Sequence, residues 1–430
     1  MATAAPVFTT TTHPARRIRL TRLGFYGAFF LLMTVISLLG GIGNAGQITR
    51  LTFGDGLPEI PMPTDLWAYG AVLVYGISTI LCFVPLSEAQ AKRRTWVHLL
   101  AGLWIIPTIL FLAAAGSSTN VTVMLQVSVR LSTPVVLGAL AGIWSERSGV
   151  ANIAIEGMML TGACFGFVTY TLLLQAGVVA GVGQIAGVLI AVVSGGLMAT
   201  LHAWLSLTFR TDQIVSGTVI NILAIGVTSF LRREVLISNE AGRGTLPNIP
   251  IPGLSQIPVL GDVFFNGKPI FYSMFILLFV THVILFYTRW GLRTRAVGEN
   301  PKAADTLGIR VLRNRWINVI ISGLIAGLGG AWFSLETTGS FDDAMTSGRG
   351  FIGLAAMIFG KWMPFGAFGG GLLFGFSDAL GQRFQLLGVP IPPQFLQMVP
   401  YVVTIIVLAG LVGRAVAPKA DGVPYDKEGK

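Results

Sequence analysis

Charged side chains are scarce in this sequence, and Arg130 and Glu156 fall where a charge needs explaining, each inside a long apolar run. An ionised group at the centre of a hydrocarbon layer costs at least about 2.5 to 3.5 kcal/mol, so such groups pair with one another or face a polar path. Arg130 lies about ten residues into its run and Glu156 about ten residues from Glu146, so at about 1.5 Å of helix rise per residue the two reach a similar depth. The spacing predicts that they meet inside a helix bundle, either lining a path for a polar solute together with Asn152 or forming a purely structural pair. Gln213 and Asn221 share one helix face. They can meet a sugar hydroxyl or a base edge, or bond between helices. Asn152 and Gly157, flanking IAIE, suit a helix break of the kind that lines transporter cavities.

Other chemistries find no support. The four histidines, His13, His98, His202 and His282, are scattered and form neither a metal site nor an acid–base pair. Cys82 and Cys164 sit in apolar runs without metal or redox spacing and read as packing residues. A phosphate-cradling loop needs Gly, four residues, then Gly-Lys-Ser/Thr, so that backbone amides and the lysine surround the phosphates. The nearest approach, Gly360-Lys361-Trp362, has Ala355 where the first glycine belongs and Trp in place of the hydroxyl. No catalytic residue, metal ligand or cofactor site is expected, so the chain is not read as an enzyme and any ATP is hydrolysed by a partner.

The elements that position these residues follow from composition. With 53% hydrophobic and 11% charged residues among 430, the chain reads as an all-α, polytopic membrane protein. Runs near the length a bilayer needs, about 20 residues, lie near 22–43, 66–86, 96–115, 120–144, 152–175, 177–205, 212–231, 270–288, 316–335 and 396–414. A Gly-rich run over 351–383 is too long for one span and is broken at GKWMPFG, giving about 11 to 12 transmembrane helices in all. SGGLMATLHAWLS from 194 and SGLIAGLGGAWFS from 322 match at several offsets and read as small-residue faces that pack closely.

The net charge of +10 reports orientation rather than nucleic acid, because the basic residues gather in short loops beside spans. Arg16, Arg17, Arg19 and Arg22, then Lys92, Arg93 and Arg94, then the cations around residues 289–315 mark the cytoplasmic side. Asp55, Glu59 and Asp65 in one loop, and Glu336, Asp342 and Asp343 in another, mark the outside. Loop 232–269 dissents with Arg232, Arg233, Arg243 and Lys268. Arg414, Lys419 and Lys427 suggest a cytoplasmic C-terminus to match the N-terminus. Four regions result: a disordered tail over 1–21, three spans over 22–115, a core over 116–416 and a cytoplasmic tail over 417–430.

RAVGENPKAADTLGI, residues 295–309, is a polar stretch between two spans. Asn300 is a good N-cap, Pro301 suits the first helical position and Gly308 suits the left-handed residue after the last turn. A helix of about two turns is too short to be stable alone and must dock. It reads as a rigid knob for a partner or as a capped loop at lipid headgroups.

This segment, followed by ISGLIAGLGGAW, resembles the coupling segment of permease subunits in ATP-binding-cassette (ABC) importers related to the branched-chain amino acid and ribose systems. SERSGVANIAIEGMML (145–160), FRTDQIVSGTVINILA (209–224), GRGFIGLAAMIFGKWMPFGA (348–367) and VPIPPQFLQMVPYVVTIIVLAG (389–410) are similar, more narrowly, to the nucleoside-uptake branch. The resemblance implies a permease that takes up a nucleoside or related sugar-containing solute across the cytoplasmic membrane of a prokaryote. It implies a second permease subunit, often a different one, cytoplasmic ATPase subunits and an external substrate-binding lipoprotein. Gly298, Glu299, Asn300, Pro301, Ala303, Ala304, Asp305 and Gly308 would form the ATPase contact. Residues before about 115 depart from the pattern of shorter relatives. The alternative is an ion- or proton-coupled secondary transporter in which Glu156 and Arg130 would be the coupling pair.

Overall fold

The computed structural model describes residues 14–54, 57–85, 87–237, 239, 244–386, 398 and 415–426. The expected span at 396–414, the motif at 389–410, Asp55, Arg243, Arg414, Lys427 and the first thirteen residues lie outside them.

The chain divides into two units, the first comprising Met1–Val121 with Leu386–Val389. It contains α1 (Pro14–Gly43), α2 (Thr64–Phe83) and α3 (Glu88–Ala113), with β1 (Ile48–Thr52), β2 (Ile60–Pro63) and β3 (Ser118–Asn120). Because α1 begins at Pro14, residues 14–21 continue the first helix instead of belonging to a disordered tail. β1 pairs antiparallel with β2 and parallel with β3, a small sheet that the all-α expectation did not include. The helices hold each other through aromatic rings: Trp67 stacks on Trp104 at 4.9 Å and on Phe111 at 4.2 Å. Tyr75 is buried beside Phe30 and donates to Thr108 Oγ1 at 2.9 Å.

The second unit, Thr122–Gln385 with Pro390–Lys430, holds α4 (Val121–Glu146), α5 (Ile155–Gln175), α6 (Ala180–Ala203), α7 (Gln213–Leu231) and α8 (Pro269–Tyr287). After a two-residue ladder of β4 (Ile249–Pro250) with β5 (Asn266–Gly267), which precedes α8, come α9 (Arg289–Glu299), α10 (Pro301–Thr306), α11 (Val311–Ala331), α12 (Arg349–Phe359) and α13 (Pro364–Leu386). Wide π-helical turns extend α6, α7 and α11 to Thr208, Leu236 and Thr338. Among the described residues of the whole chain, nine helices are long and apolar enough to cross a membrane. The chain is a multi-pass membrane protein. The Gly-rich run is indeed broken: Lys361 and Trp362 both take φ of 54°, reversing the backbone between α12 and α13, and Pro364 opens the new helix.

Small residues bring α5, α6 and α11 close. A Cβ built on Gly195 of α6 would lie 2.4 Å from the Gly323 carbonyl oxygen of α11, and one on Gly330 of α11 would lie 1.9 Å from that of Met159 on α5. The two matching segments noted in the sequence therefore pack directly on one another, as small-residue faces do where backbones must approach.

Candidate functional site

Two features could do work: the polar groups at the start of α5, and the short helix α10. The first begins where α4 ends. Residues 147–154 are not helical, and non-helical backbone at membrane depth persists only where its amides and carbonyls find protein partners. Side chains from three helices supply them. Gln213 Oε1 accepts from Ala151 N at 2.7 Å, and His202 Nε2 lies 3.1 Å from the Ala151 carbonyl oxygen. Asn221 accepts from Gly157 N at 2.8 Å through Oδ1 and donates through Nδ2 to the Ile153 carbonyl at 3.0 Å. Asn152, fully buried, accepts from Ala154 N at 3.1 Å and donates to Ser322 Oγ at 3.0 Å. The non-helical stretch before Ile155 is the turn that joins α4 to α5, not an interruption within one span. Asn152, Gln213 and Asn221 act as its splints, with Nε2 of Gln213 left buried without a hydrogen bond.

Arg130 and Glu156 do not pair. Arg130 Nη2 donates to the Asn266 carbonyl at 2.8 Å. Glu156 accepts from Thr346 Oγ1 at 2.6 Å, from Gly348 N at 2.8 Å and from Gly350 N at 2.7 Å. The depth count failed because it assumed helical rise across 147–154, which is a turn. Glu156 instead sits at the N-terminus of α12, where unpaired amides and the helix dipole favour a carboxylate. Glu336 does the same for α8, accepting from Ile270 N at 2.7 Å and Phe271 N at 3.1 Å. It is 4% exposed, so the outer-loop placement of Glu336 is corrected. Glu156 and Glu336 are thus each answered by a helix end from a distant part of the chain, a signal that spacing in sequence does not carry.

Two of the cations of the dissenting loop find partners nearby. Arg232 reaches Asp342 at 2.9 Å and Asp343 at 3.3 Å, and Lys268 Nζ donates to the Glu336 carbonyl oxygen at 2.5 Å. Burial holds the Lys268 ammonium below its usual range, against the opposing pull of Glu336. These contacts place the loop's cations and the acids 342–343 at one end of the bundle. Two further charged contacts were not legible in the sequence. Arg349 pairs with Asp378 at 2.5 Å, and Trp362 Nε1 donates to Glu146 at 2.6 Å.

The second feature is the knob. Asn300 accepts from Ala303 N at 3.1 Å and so caps α10, Pro301 takes the first turn, and Gly308 closes it at φ +81°. Its faces differ from the expectation in one respect. Ala304 is 2% exposed and packs with Val297, Val311 and Tyr425 of its own chain, so it holds the knob down and does not offer itself to a partner. Gly298 is likewise turned inward, where a Cβ would lie 2.3 Å from the Arg147 carbonyl oxygen. Pro301 and Asp305 are half-buried, while Glu299, Asn300, Ala303, Leu307 and Gly308 are exposed. Leu307 is 82% exposed. No group of three or more His, Cys, Asp or Glu that could hold a metal ion occurs among the described residues.

Comparison with known proteins adds the family. The profile of the branched-chain amino acid transport system permease component matches residues 124–408. The guanosine ABC transporter permease protein NupQ of Bacillus subtilis is 44% identical over 305 residues, covering 69% of this chain and 94% of that protein. The nucleoside ABC transporter permease protein NupC of Lactococcus lactis subsp. cremoris is 44% identical over 306 residues, with 69% and 94% covered. The guanosine ABC transporter permease protein NupP of Bacillus subtilis is 26% identical over 293 residues, with 65% and 79% covered. No solved structure matches the chain.

Proposed function

The chain belongs to the family of branched-chain amino acid transport system permease components, and on that premise we propose that it is the nucleoside-conducting permease subunit of an ABC importer. It pairs with a second, different permease subunit, and two cytoplasmic ATPase subunits drive the cycle. An external lipoprotein delivers the solute. The existence of two guanosine permeases, NupQ and NupP, among its relatives supports the unlike pair. The chain sits in the cytoplasmic membrane of a prokaryote with both termini inside, in keeping with the basic residues that flank α1 and α9. ATP is spent by the partner, since no Gly-rich phosphate loop ends in Lys-Ser/Thr here.

The observation that carries the reading is the knob. A six-residue helix is capped, seated on its own chain through Ala304, and presents Leu307 almost fully exposed beside Ala303 and Glu299. An isolated helix of that length gains nothing by forming, and an exposed leucine on a seated, polar-flanked turn suits insertion into a cleft of an ATPase. The proton-coupled alternative loses its pair, because Arg130 and Glu156 do not meet. Glu156 is also engaged in holding α12, a duty that a carboxyl cycling between partners would have to abandon.

Reconstitution in vesicles tests both readings. With ATPase, second permease and lipoprotein present, uptake of guanosine should require ATP and survive collapse of the proton gradient. Leu307→Asp should lower ATPase co-purification while leaving insertion intact. Concentrative uptake by the chain alone, driven by a pH gradient and lost in Glu156→Gln, overturns the importer reading.

A further inference from the structure

Residues 415–426 have no helix of their own, yet they are fastened at five points to one end of the second unit. Ala420 N donates to the Gly298 carbonyl oxygen at 2.9 Å, just before the knob. Tyr425, 8% exposed, completes the apolar cluster of Val297, Ala304 and Val311 on which α10 sits. Arg315 is wholly buried at the start of α11, and its guanidinium is spent on backbone carbonyls. Nη1 donates to Val423 at 2.9 Å and Nη2 to Ala420 at 3.5 Å, both in this segment, while Nε donates to Ser148 at 3.1 Å in the turn between α4 and α5. Asp426 pairs with Arg210 in the turn between α6 and α7. Burial raises the Asp421 carboxyl above its usual range, which marks how far the segment is tucked in.

The sequence predicts a cytoplasmic tail over 417–430. A loose tail does not recruit a buried arginine, whose guanidinium has five donors and no way to shed its charge. The segment also supplies part of the floor of α10, whose one buried residue is Ala304: the tyrosine from this segment is the largest of the buried apolar residues packed beside it, with Val297 and Val311. The same arginine ties the segment to Ser148, and the backbone from there runs directly into the splinted stretch 151–157 that opens α5.

We propose that residues 415–426 are a strap that joins the knob α10 to the turn between α4 and α5, with Tyr425 and Arg315 as positioning residues, so that a push on the knob reaches the spans instead of being lost in its loop. The push comes from the ATPase of the reading above, and the inference rests on that reading for its purpose but not for its mechanics. Without the strap, ATP hydrolysis and solute movement come apart.

Two measurements test it. The first uses the full chain alone in lipid nanodiscs and follows backbone amide exchange. Tyr425→Ala should speed exchange at residues 298–309 and at 147–150 together, and Tyr425→Phe should restore both. Faster exchange confined to residues 415–426 overturns the proposal. The second uses the reconstituted complex and counts solute moved per ATP hydrolysed. Tyr425→Ala, and a chain lacking 415–430, should keep ATPase co-purification and hydrolysis but lose at least about five-fold in that ratio, the lower end of ordinary coupling between sites. An unchanged ratio in Tyr425→Ala overturns the proposal. If the shortened chain does not assemble, Tyr425→Ala decides alone, and failure of both to assemble makes the segment a folding element and also overturns it. Absence of ATP-driven uptake in the unaltered complex would instead defeat the importer reading, and amide exchange would still decide the strap.

Discussion

Helices α2 and α3 and the trio α5, α6 and α11 are similarly apolar and both contain glycine, but they use it in opposite ways, while in α1 Gly27, Gly40 and Gly41 meet side chains of α2 and α3. In α2 and α3, Gly70, Gly76 and Gly102 have nothing within 4 Å of where a Cβ would stand. In the trio, Gly162, Gly195, Gly323, Gly327 and Gly330 each face a neighbouring backbone at under 3 Å. Burial follows the same order: 28% of the apolar window is buried in α1 and in α2, against 44% in α6 and 72% in α5 and in α11. Between helices in lipid there is little hydrophobic drive, so association rests on close packing and hydrogen bonds. The trio meets that demand with bare backbone contact, and the first unit meets it with stacked rings at Trp67, Trp104 and Phe111. The lesson is that glycine marks a contact only where a partner backbone arrives to use it.

The sharpest way to break this contrast is to add carbon at both kinds of glycine. Gly330→Val should cost at least about 3 kcal/mol, since overpacking against the Met159 carbonyl forces two helices apart. Gly70→Ala should be neutral or stabilise by about 0.5 to 1 kcal/mol through helix propensity. Thermal unfolding in detergent, followed by size exclusion, reads both, and equal losses would end the distinction. Next in size is Glu156→Ala, which strands the amides of Gly348 and Gly350 and the Thr346 hydroxyl. At about 1 to 3 kcal/mol for each buried group left unpaired, proteolysis within 344–348 should accelerate and uptake should fall. Protease resistance equal to that of the unaltered protein would show that α12 needs no such anchor. Trp67→Leu stays apolar but removes two stacked contacts, and a loss of at least about 1 to 3 kcal/mol is expected at about 0.5 to 1.5 per aromatic pair. That loss should leave the protease resistance of the second unit untouched. The smallest effect is a coupling energy: Arg130→Gln and Glu156→Gln should add to within about 0.5 kcal/mol, because the two groups share no partner. A larger coupling in the double-mutant cycle would restore the ion pair that geometry denies.

Much of the fold was legible because the bilayer imposes one length and one period on every span. The break at Lys361-Trp362, the capped helix at Asn300 and its end at Gly308 were legible too, since caps and turns are local events set by a few neighbouring residues. What failed were inferences that crossed a turn. The depth of Glu156 was counted through 147–154 as if it were helix, and the burial of Ala304 depends on Tyr425, over a hundred residues later.

The sequence by itself determined that the chain is a membrane protein, approximately where most of its described spans lie, and that a short capped helix lies between α9 and α11. These depend on composition and on contacts a few residues apart. Only the tertiary structure decided that Glu156 anchors α12, that Asn152, Gln213 and Asn221 splint a broken backbone, and that Arg315 binds the strap. A buried polar group is satisfied by whichever donor or acceptor folding brings to it, and along the chain that partner stands 62 residues away for Gln213, 108 for Arg315 and 194 for Glu156.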